Sequence, residues 1–166
     1  MGAITHSDSW AAAIVAKQAH YLGLGLDIER SLSPTDAEKL APALLTPAEL
    51  ARLQELSPQQ FAFMVTVSFS LKESLFKALY PLVKKHFYFE DAELMEWDIP
   101  AGSARLRLLS TLSSNWPKGR ELAAQFCLYD DHIWSLVAIP NKGTRGENKQ
   151  DQLTEKPDLD LHQDDS

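Results

Sequence analysis

The sequence LGLGLDIE, residues 22–29, contains the strongest structural signal in this chain. Leucine or isoleucine stands at every second position, and glycines and carboxylates stand between them. Because side chains alternate between the two faces of a strand, the pattern predicts a β-strand over residues 22–28 with one apolar face. The other face carries Gly23, Gly25, Asp27 and Glu29. Since glycine adds no side chain, we expect the two glycines to leave room for a ligand beside the carboxylates.

Three predicted helices follow this strand. Ser33-Pro34 places a polar residue directly before a proline, which is typical of a helix N-terminus. Thr46 as N-cap, Pro47 at the first helical position and Glu49 at the third form a capping box for the next helix. The apolar and aromatic density of residues 58–83 predicts a long helix that is covered by protein on most of its circumference.

The remaining predicted elements are strands. They cover residues 3–7, 87–89, 92–97, 104–109, 122–128 and 133–139, with a further apolar run over residues 10–16. Tyr129-Asp130-Asp131-His132 separates the last two strands and predicts a hairpin turn. The expected fold class is therefore α+β, with antiparallel strands packed on a helical middle in one domain over residues 1–140. Residues 141–166 are predicted to be a disordered polar tail, because they have too few apolar side chains to offset their ordering entropy.

The composition of the 166-residue chain limits the classes of function. It is 45% hydrophobic and 23% charged, which suffices for one globular core. A formal net charge of −7 disfavours a nucleic-acid binder, which needs a basic surface. No run approaches the roughly 20 apolar residues of a membrane span, and the N-terminus shows no secretory signal. Cys127 is the only cysteine, which excludes an intramolecular disulfide and, with the missing signals, predicts a cytoplasmic protein.

Asp27 and Glu29 project from the same side of the predicted strand, so two like charges stand next to each other. A cation or a proton relieves their repulsion, and Mg²⁺ typically takes one or two carboxylates together with substrate phosphates. An exposed acidic strand end would give the same pattern. The pair is therefore a candidate magnesium site, and the residues alone leave both interpretations open.

The long predicted helix carries a second candidate group. Glu73 and Lys77 lie four residues apart on one helix face, where a carboxylate and an ammonium could serve a metal ion and a phosphate. The same spacing is also that of an ordinary helix-stabilising pair worth about 0.2–0.5 kcal/mol. His6, in the first predicted strand, is a candidate phosphate contact, although a lone histidine is more often structural.

Three stretches occur together in the order shown by a known family. They are GAITHS at residues 2–7, LGLDIE at residues 24–29 and FSLKESLFK at residues 69–77. Together they resemble the 4′-phosphopantetheinyl transferases, and the third is similar to the branch that includes the enterobactin synthase D component and the surfactin-type transferases. FYFEDA at residues 87–92 also looks like the strand that follows in that branch. The resemblance covers most of residues 2–140.

The resemblance implies roles for the matching residues. The implied ligands of Mg²⁺, which also grips the pyrophosphate of coenzyme A, are Asp27, Glu29 and Glu73. The implied contacts of coenzyme A are Lys72 and Lys77 at the phosphates and Thr5 and His6 at the nucleotide end. The implied catalytic residues are Glu73, as general base, and Lys77, which stabilises charge on the departing 3′,5′-ADP. The reaction would transfer 4′-phosphopantetheine to a serine of an apo acyl or peptidyl carrier protein, with siderophore synthesis as the leading pathway.

The sequence also departs from that branch. Its members carry a preceding half-domain, related to the second by pseudo-twofold symmetry, and here only the end of that half is matched. The resemblance therefore implies one transferase-like half-domain on an N-terminally shortened chain, with uncovered apolar surface and with oligomerisation conceivable. Two other functions stay open. One is a catalytically silent remnant that keeps the metal carboxylates, and the other is a Mg²⁺-dependent phosphate-ester hydrolase, which uses the same kinds of side chain.

Overall fold

The computed structural model describes residues 1–8 and 10–144 of the chain. In chain order, the elements are β1 (Gly2–Ser7), β2 (Trp10–Val15), β3 (Tyr21–Arg30), α1 (Pro34–Leu44), α2 (Pro47–Leu53), α3 (Pro58–Val83), β4 (Ala92–Asp98), β5 (Ser103–Leu108), β6 (Glu121–Tyr129) and β7 (His132–Pro140). Five strands form an antiparallel sheet in the order β3-β7-β6-β5-β4, while β1 and β2 pair as a separate antiparallel hairpin. The predicted α+β class is confirmed.

The predicted helix starts are confirmed by their caps. The capping box of Thr46 and Glu49 is present at the start of α2. Helix α3 begins after the N-cap Ser57 and ends at Lys84, whose left-handed backbone has a φ of 50°. Its bounds, Pro58–Val83, agree with the prediction from apolar density.

The core lies between α3 and the inner face of the sheet. Its fully buried side chains include Leu71, Leu75 and Leu79 of α3 and Ile133 and Val137 of β7. These leucines recur at helical spacing on one side of α3. A different stripe of the same helix, which carries Glu73 and Lys77, is half-buried. The packing of α3 on the sheet therefore leaves the stripe with Glu73 and Lys77 partly accessible.

The two glycines of β3 let α3 approach the strand closely. A Cβ atom at Gly25 would lie 1.8 Å from the carbonyl oxygen of Ser74, and one at Gly23 would lie 2.4 Å from that of Ala78. A side chain at either position would push the helix away from the sheet. The expectation that these glycines leave room for a ligand is wrong, because the backbone of α3 fills that space.

The predicted strand over residues 87–89 is also wrong. Phe89–Asp91 forms a short 3₁₀ helix, and β4 begins at Ala92. The Asp91 carboxylate accepts the backbone N–H of Tyr88 at 2.8 Å, and the Asp91 N–H donates to the Tyr88 carbonyl at 3.0 Å. Such local hydrogen bonds from aspartate compete with strand pairing.

The predicted turn at residues 129–132 is confirmed. Tyr129 pairs with His132 across the β6–β7 hairpin. The two central residues have positive φ angles, 50° at Asp130 and 58° at Asp131. Two consecutive positive φ angles are typical of a tight type I′ hairpin turn, which aspartate tolerates better than most residues.

The C-terminal end of the described chain is a short 3₁₀ turn, Lys142–Thr144. Most of the predicted polar tail, residues 145–166, lies outside the described residues.

Among residues 1–8 and 10–144, none of the helices combines the length and the apolar character that a membrane crossing requires.

Candidate active site

Asp27 anchors a polar cluster where β3 meets α3. Its side chain is 4% exposed. One oxygen, Oδ1, accepts a hydrogen bond from Lys77 Nζ at 2.6 Å, and Oδ2 accepts one from the Ser70 hydroxyl at 2.9 Å. The Ser70 hydroxyl also lies 2.7 Å from that of Ser135 on β7. A carboxylate buried this deeply requires such partners. The sequence did not reveal either serine, because a serine inside a helix or strand gives no signal of its partner.

Glu29 and Glu73 add two half-buried carboxylates to this region. Burial raises the pKa of Glu29 to about 7, and the negative charges of Asp27 and Glu73 add to the rise. Burial, followed by the charge of Asp27, also raises the pKa of Glu73. The three carboxylates predicted from the sequence therefore lie close enough to act on one another, and a cation would relieve their repulsion.

Lys77 supplies a positive charge to the cluster. Besides Asp27, its Nζ donates to the carbonyl of Leu26 at 3.2 Å and to the hydroxyl of Thr5 at 3.3 Å. The charge of Lys77 lowers the pKa values of Glu29 and Glu73 against the effect of burial. The Lys77 side chain is 31% exposed, so part of it is open to solvent and to a ligand. The structure thus brings the predicted residues Thr5 and Lys77 together.

The structure separates His6 from this contact. In β1, Ala3 and Thr5 are buried, whereas Ile4 and His6 are exposed on the other face of the hairpin. On that outer face, Ile4 is 77% exposed and Val15 is 82% exposed. Exposed apolar side chains therefore lie on this face of the hairpin. The role of His6 at the nucleotide end stays a prediction, and it requires a ligand that reaches the outer face.

Lys72 lies apart from the cluster, in the interior. Its Nζ donates to Glu49 Oε2 at 2.7 Å, to the Phe89 carbonyl at 2.9 Å and to the Leu44 carbonyl at 3.0 Å. Burial lowers the pKa of Lys72, and the charge of Glu49 opposes this. Because the side chain is only 2% exposed, this arrangement does not support the predicted contact of Lys72 with phosphates.

Glu49 has a role that the sequence revealed only in part. Its Oε2 accepts the N–H of Thr46 at 2.7 Å, as the capping box predicts, and its Oε1 accepts the N–H of Leu94 at 2.6 Å. Together with the bond to Lys72, one carboxylate ties the start of α2 to α3 and β4. The capping motif predicted the local bond, but a local motif carries no information about distant partners.

The resemblance implies a magnesium ion, and the donor chemistry fits one. Asp27, Glu29 and Glu73 supply the hard carboxylate oxygens that Mg²⁺ prefers. Within residues 1–8 and 10–144, no group of three or more Asp, Glu, His or Cys side chains is arranged as a ready metal site. The two Asp27 oxygens accept hydrogen bonds from Lys77 and Ser70. The side chains thus fit the ion in kind, and the metal-bound arrangement is a proposal.

A cavity of about 220 Å³ opens beside Glu73. Aromatic rings line it: Phe76 stacks on His86 with ring centroids 5.4 Å apart, and it packs at a tilt against Phe87 with centroids 5.1 Å apart. Tyr88, at its rim, is 67% exposed. The carboxylate of the candidate base is therefore bordered by an accessible aromatic surface.

Comparison with known families covers the elements that carry these residues. The family model described as the 4′-phosphopantetheinyl transferase superfamily matches residues 23–136, more than half of the chain. The chain belongs to this superfamily. The match runs from the glycines of β3 through α3 into β7, and so includes Asp27, Glu73 and Lys77. The family predicted from the three sequence stretches is confirmed.

Curated relatives of this superfamily member include two named proteins. Enterobactin synthase component D of Escherichia coli strain K12 is 34% identical over 97 residues, which cover 58% of this chain and 44% of the relative. The 4′-phosphopantetheinyl transferase Svp of Streptomyces mobaraensis is 36% identical over 110 residues, which cover 66% of this chain and 44% of the relative. The chain therefore spans less than half the length of these relatives.

Two solved structures share the superfamily fold. A holo-ACP-synthase from Plasmodium yoelii superposes with a TM-score of 0.56 at 18% identity, over 74% of this chain and 96% of the other. A holo-(acyl-carrier-protein) synthase from Bacillus anthracis strain Ames, in complex with CoA (3′,5′-ADP), gives a TM-score of 0.52 at 17% identity, over 74% and 99%. At these identities the likeness shows the fold alone.

Proposed function

We propose that this chain transfers the 4′-phosphopantetheine group of coenzyme A to a serine of an apo acyl or peptidyl carrier protein, with Mg²⁺ and with release of 3′,5′-ADP. The observation that carries the proposal is the cluster of Asp27, Glu73 and Lys77 at the contact of α3 with β3, inside the region that the family matches. The similarity to enterobactin synthase component D supports a peptidyl carrier of siderophore synthesis as the partner.

Glu73 is the proposed general base. A serine hydroxyl is a weak nucleophile near neutral pH and needs a base within hydrogen-bond reach. Burial and the charge of Asp27 raise the pKa of Glu73, which makes its carboxylate a better proton acceptor. Glu73 takes the serine proton, directly or through a water, while the serine oxygen bonds to the phosphorus that bears the pantetheine arm. The bond from that phosphorus to the oxygen of 3′,5′-ADP breaks, and its electron pair leaves with 3′,5′-ADP.

Lys77 is the proposed electrostatic catalyst. Negative charge builds on the departing 3′,5′-ADP, and a preorganised ammonium in a partly water-excluded site stabilises it. Asp27 and Thr5 hold Lys77 Nζ in place, while part of the side chain stays open to a ligand. When bound by Asp27, Glu29 and Glu73, Mg²⁺ would supply further charge stabilisation at the phosphate oxygens.

Lys72 has a positioning role in this proposal. Its bond to Glu49 joins α3 to α2 and β4, and Glu73 is the next residue of the same helix. An ammonium enclosed at 2% exposure acts on the reaction through the placement of its neighbours. Lys72 would therefore affect transfer by holding Glu73 in place rather than by touching a phosphate.

Two predictions about the setting of the protein are kept with the proposal. Cys127 is a free, exposed cysteine, which suits the reducing cytoplasm. Oligomerisation would cover the exposed Ile4 and Val15 of the hairpin. Light scattering at several protein concentrations measures the oligomeric state.

The test is the intact mass of an apo carrier protein after incubation with this chain, Mg²⁺ and coenzyme A. The expected result is the gain of one phosphopantetheine group on the carrier serine. The gain should disappear in Glu73→Gln and Asp27→Asn and persist in Glu38→Gln, an exposed control on α1. Coenzyme A binding without any mass gain would favour a catalytically silent member of the family. That second candidate draws its support from the match to less than half of each named relative.

A further inference from the structure

The β1–β2 hairpin is attached to the rest of the protein by side chains. Among the described residues, it forms no strand ladder with the five-stranded sheet. A two-stranded hairpin by itself is only marginally stable in water. Its placement nevertheless matters for the candidate site, because β1 brings the hydroxyl of Thr5 within 3.3 Å of Lys77 Nζ.

The tip of the hairpin meets the turn between β6 and β7 through two polar contacts. His132 Nε2 lies 3.2 Å from Asp8 Oδ2, and Trp10 Nε1 donates to Asp130 Oδ2 at 3.2 Å. Asp8 stands at the tip with a positive φ of 50°. The turn of the hairpin, at Asp8, and the first residue of β2, Trp10, thus contribute one contact each.

Aromatic packing reinforces these contacts. The ring of Trp10 meets the rings of Trp134 and Tyr129 edge to face, with centroids 5.5 and 5.7 Å apart. This geometry is favourable for aromatic pairs and contributes beyond the area that they bury. Trp10 therefore combines a hydrogen bond with two ring contacts next to the tip of the hairpin.

His132 is placed to carry a charge in this contact. Its Nδ1 lies 2.6 Å from the Asp130 carbonyl while its Nε2 faces Asp8, so both ring nitrogens point at acceptors. Neutral imidazole has one N–H, whereas the protonated ring has two and satisfies both acceptors. Further charged groups at this point are the Asp130 carboxylate, Arg30, 3.7 Å from Asp8, and Asp131, 3.8 Å from Arg30.

We propose that Asp8, Trp10 and His132 form a tip clasp that positions the hairpin for the transfer reaction. Asp8 of the clasp lies three residues beyond Thr5 along the chain. Holding the tip therefore holds the Thr5 hydroxyl beside Lys77 and fixes the wall of the site that receives the phosphate end of the substrate. The placement of the hairpin is a property of the free protein, and only the effect on substrate rests on the proposed function.

Amide hydrogen exchange of the free protein tests the clasp. We expect Asp8→Ala and His132→Ala each to speed exchange in residues 2–15 on the order of tenfold, with no further gain in the double variant, because contacting residues are coupled. His132→Gln, which keeps a side-chain donor, should restore part of the protection. Asp98→Asn, at the β4–β5 turn, is the matched control. Unchanged exchange in the hairpin, or equal acceleration in all strands, would overturn the clasp.

Kinetics test its positioning role. In the clasp variants we expect the KM for coenzyme A to rise on the order of tenfold while kcat and the KM for the carrier change less than about twofold. Faster hairpin exchange with an unchanged KM would overturn the positioning role. If the wild-type chain transfers no phosphopantetheine at all, the proposed function fails, and the exchange data still decide whether the clasp holds the hairpin.

Discussion

Helix α3 carries two lysine–carboxylate pairs that have nearly the same bond length and very different surroundings. Lys72 and Glu49 lie 2.7 Å apart with side chains 2% and 3% exposed. Lys77 and Asp27 lie 2.6 Å apart, and Lys77 is 31% exposed. Each ammonium has three protein acceptors, so hydrogen bonding does not distinguish the two lysines. Exposure does, and on that basis we propose a structural role for the first pair and a binding role for the second.

Breaking the buried pair should give the largest effect. Lys72→Met leaves the Glu49 carboxylate buried without its counter-ion, and we expect the free energy of unfolding to fall by about 3–5 kcal/mol. The double variant Lys72→Met/Glu49→Gln should recover part of this loss, because the unpaired charge is gone. Urea denaturation followed by circular dichroism measures both variants. If Lys72→Met lowered the free energy of unfolding by less than about 1 kcal/mol, the Lys72–Glu49 pair would be worth no more than a surface ion pair. The structural role proposed for Lys72 would then be wrong.

Loss of the partly exposed Lys77 should act mainly on catalysis. We expect Lys77→Met to lower kcat for phosphopantetheine transfer by about 10²–10³-fold, as removal of a preorganised charge stabiliser does in other enzymes. Its stability loss should be smaller than that of Lys72→Met, because the partly exposed Lys77 side chain leaves space through which water can reach the buried Asp27 carboxylate. Lys39→Met, an exposed change on α1, is the control. Equal stability losses in the Lys72 and Lys77 variants would count against the comparison.

The close contact that brings Lys77 to Asp27 can be tested at a glycine. Gly25→Ala places a Cβ in the space of the Ser74 carbonyl. We expect a stability loss of about 1–3 kcal/mol, because α3 must move away from β3. Gly143→Ala, near the end of the described chain, is the control, since its nearest contact for a Cβ is 3.4 Å away. Thermal unfolding of both variants measures the effect. A Gly25→Ala protein as stable as the wild type would contradict the tight packing of α3 on β3.

The smallest expected effect concerns pH and the hairpin. The hydrogen bond to the Asp130 carbonyl, together with Asp8, raises the pKa of His132 above its ordinary value of about 6.5. A raised folded pKa means that protonated His132 stabilises the fold below about pH 6.5 and that this contribution is lost as pH rises through the folded pKa. An NMR titration of the imidazole should show this pKa falling in Asp8→Asn. An ordinary or lower value with Asp8 present would contradict the clasp.

The sequence predicted those features that depend on local patterns. Three predictions rested on residues close together in the chain: the alternation in β3, the capping box of α2 and the apolar density of α3. The structure confirms the strand and both helices. Periodicity showed which face Gly23 and Gly25 occupy, but it could not show that the backbone of α3 covers that face. The bond between Lys72 and Glu49 joins residues distant in the chain, so no motif reported it.

The most direct test of the account is calorimetric titration of coenzyme A with and without Mg²⁺. It compares the wild-type chain, Lys77→Met and Lys72→Met/Glu49→Gln. If the cluster of Asp27, Glu73 and Lys77 receives the phosphates, Mg²⁺ should strengthen coenzyme A binding in the wild type and in the double variant. Lys77→Met should bind coenzyme A about tenfold more weakly, which corresponds to about 1.4 kcal/mol. The account would be contradicted if Lys77→Met bound coenzyme A as tightly as the wild type while the double variant lost binding. It would also be contradicted if Mg²⁺ had no effect on the affinity for coenzyme A.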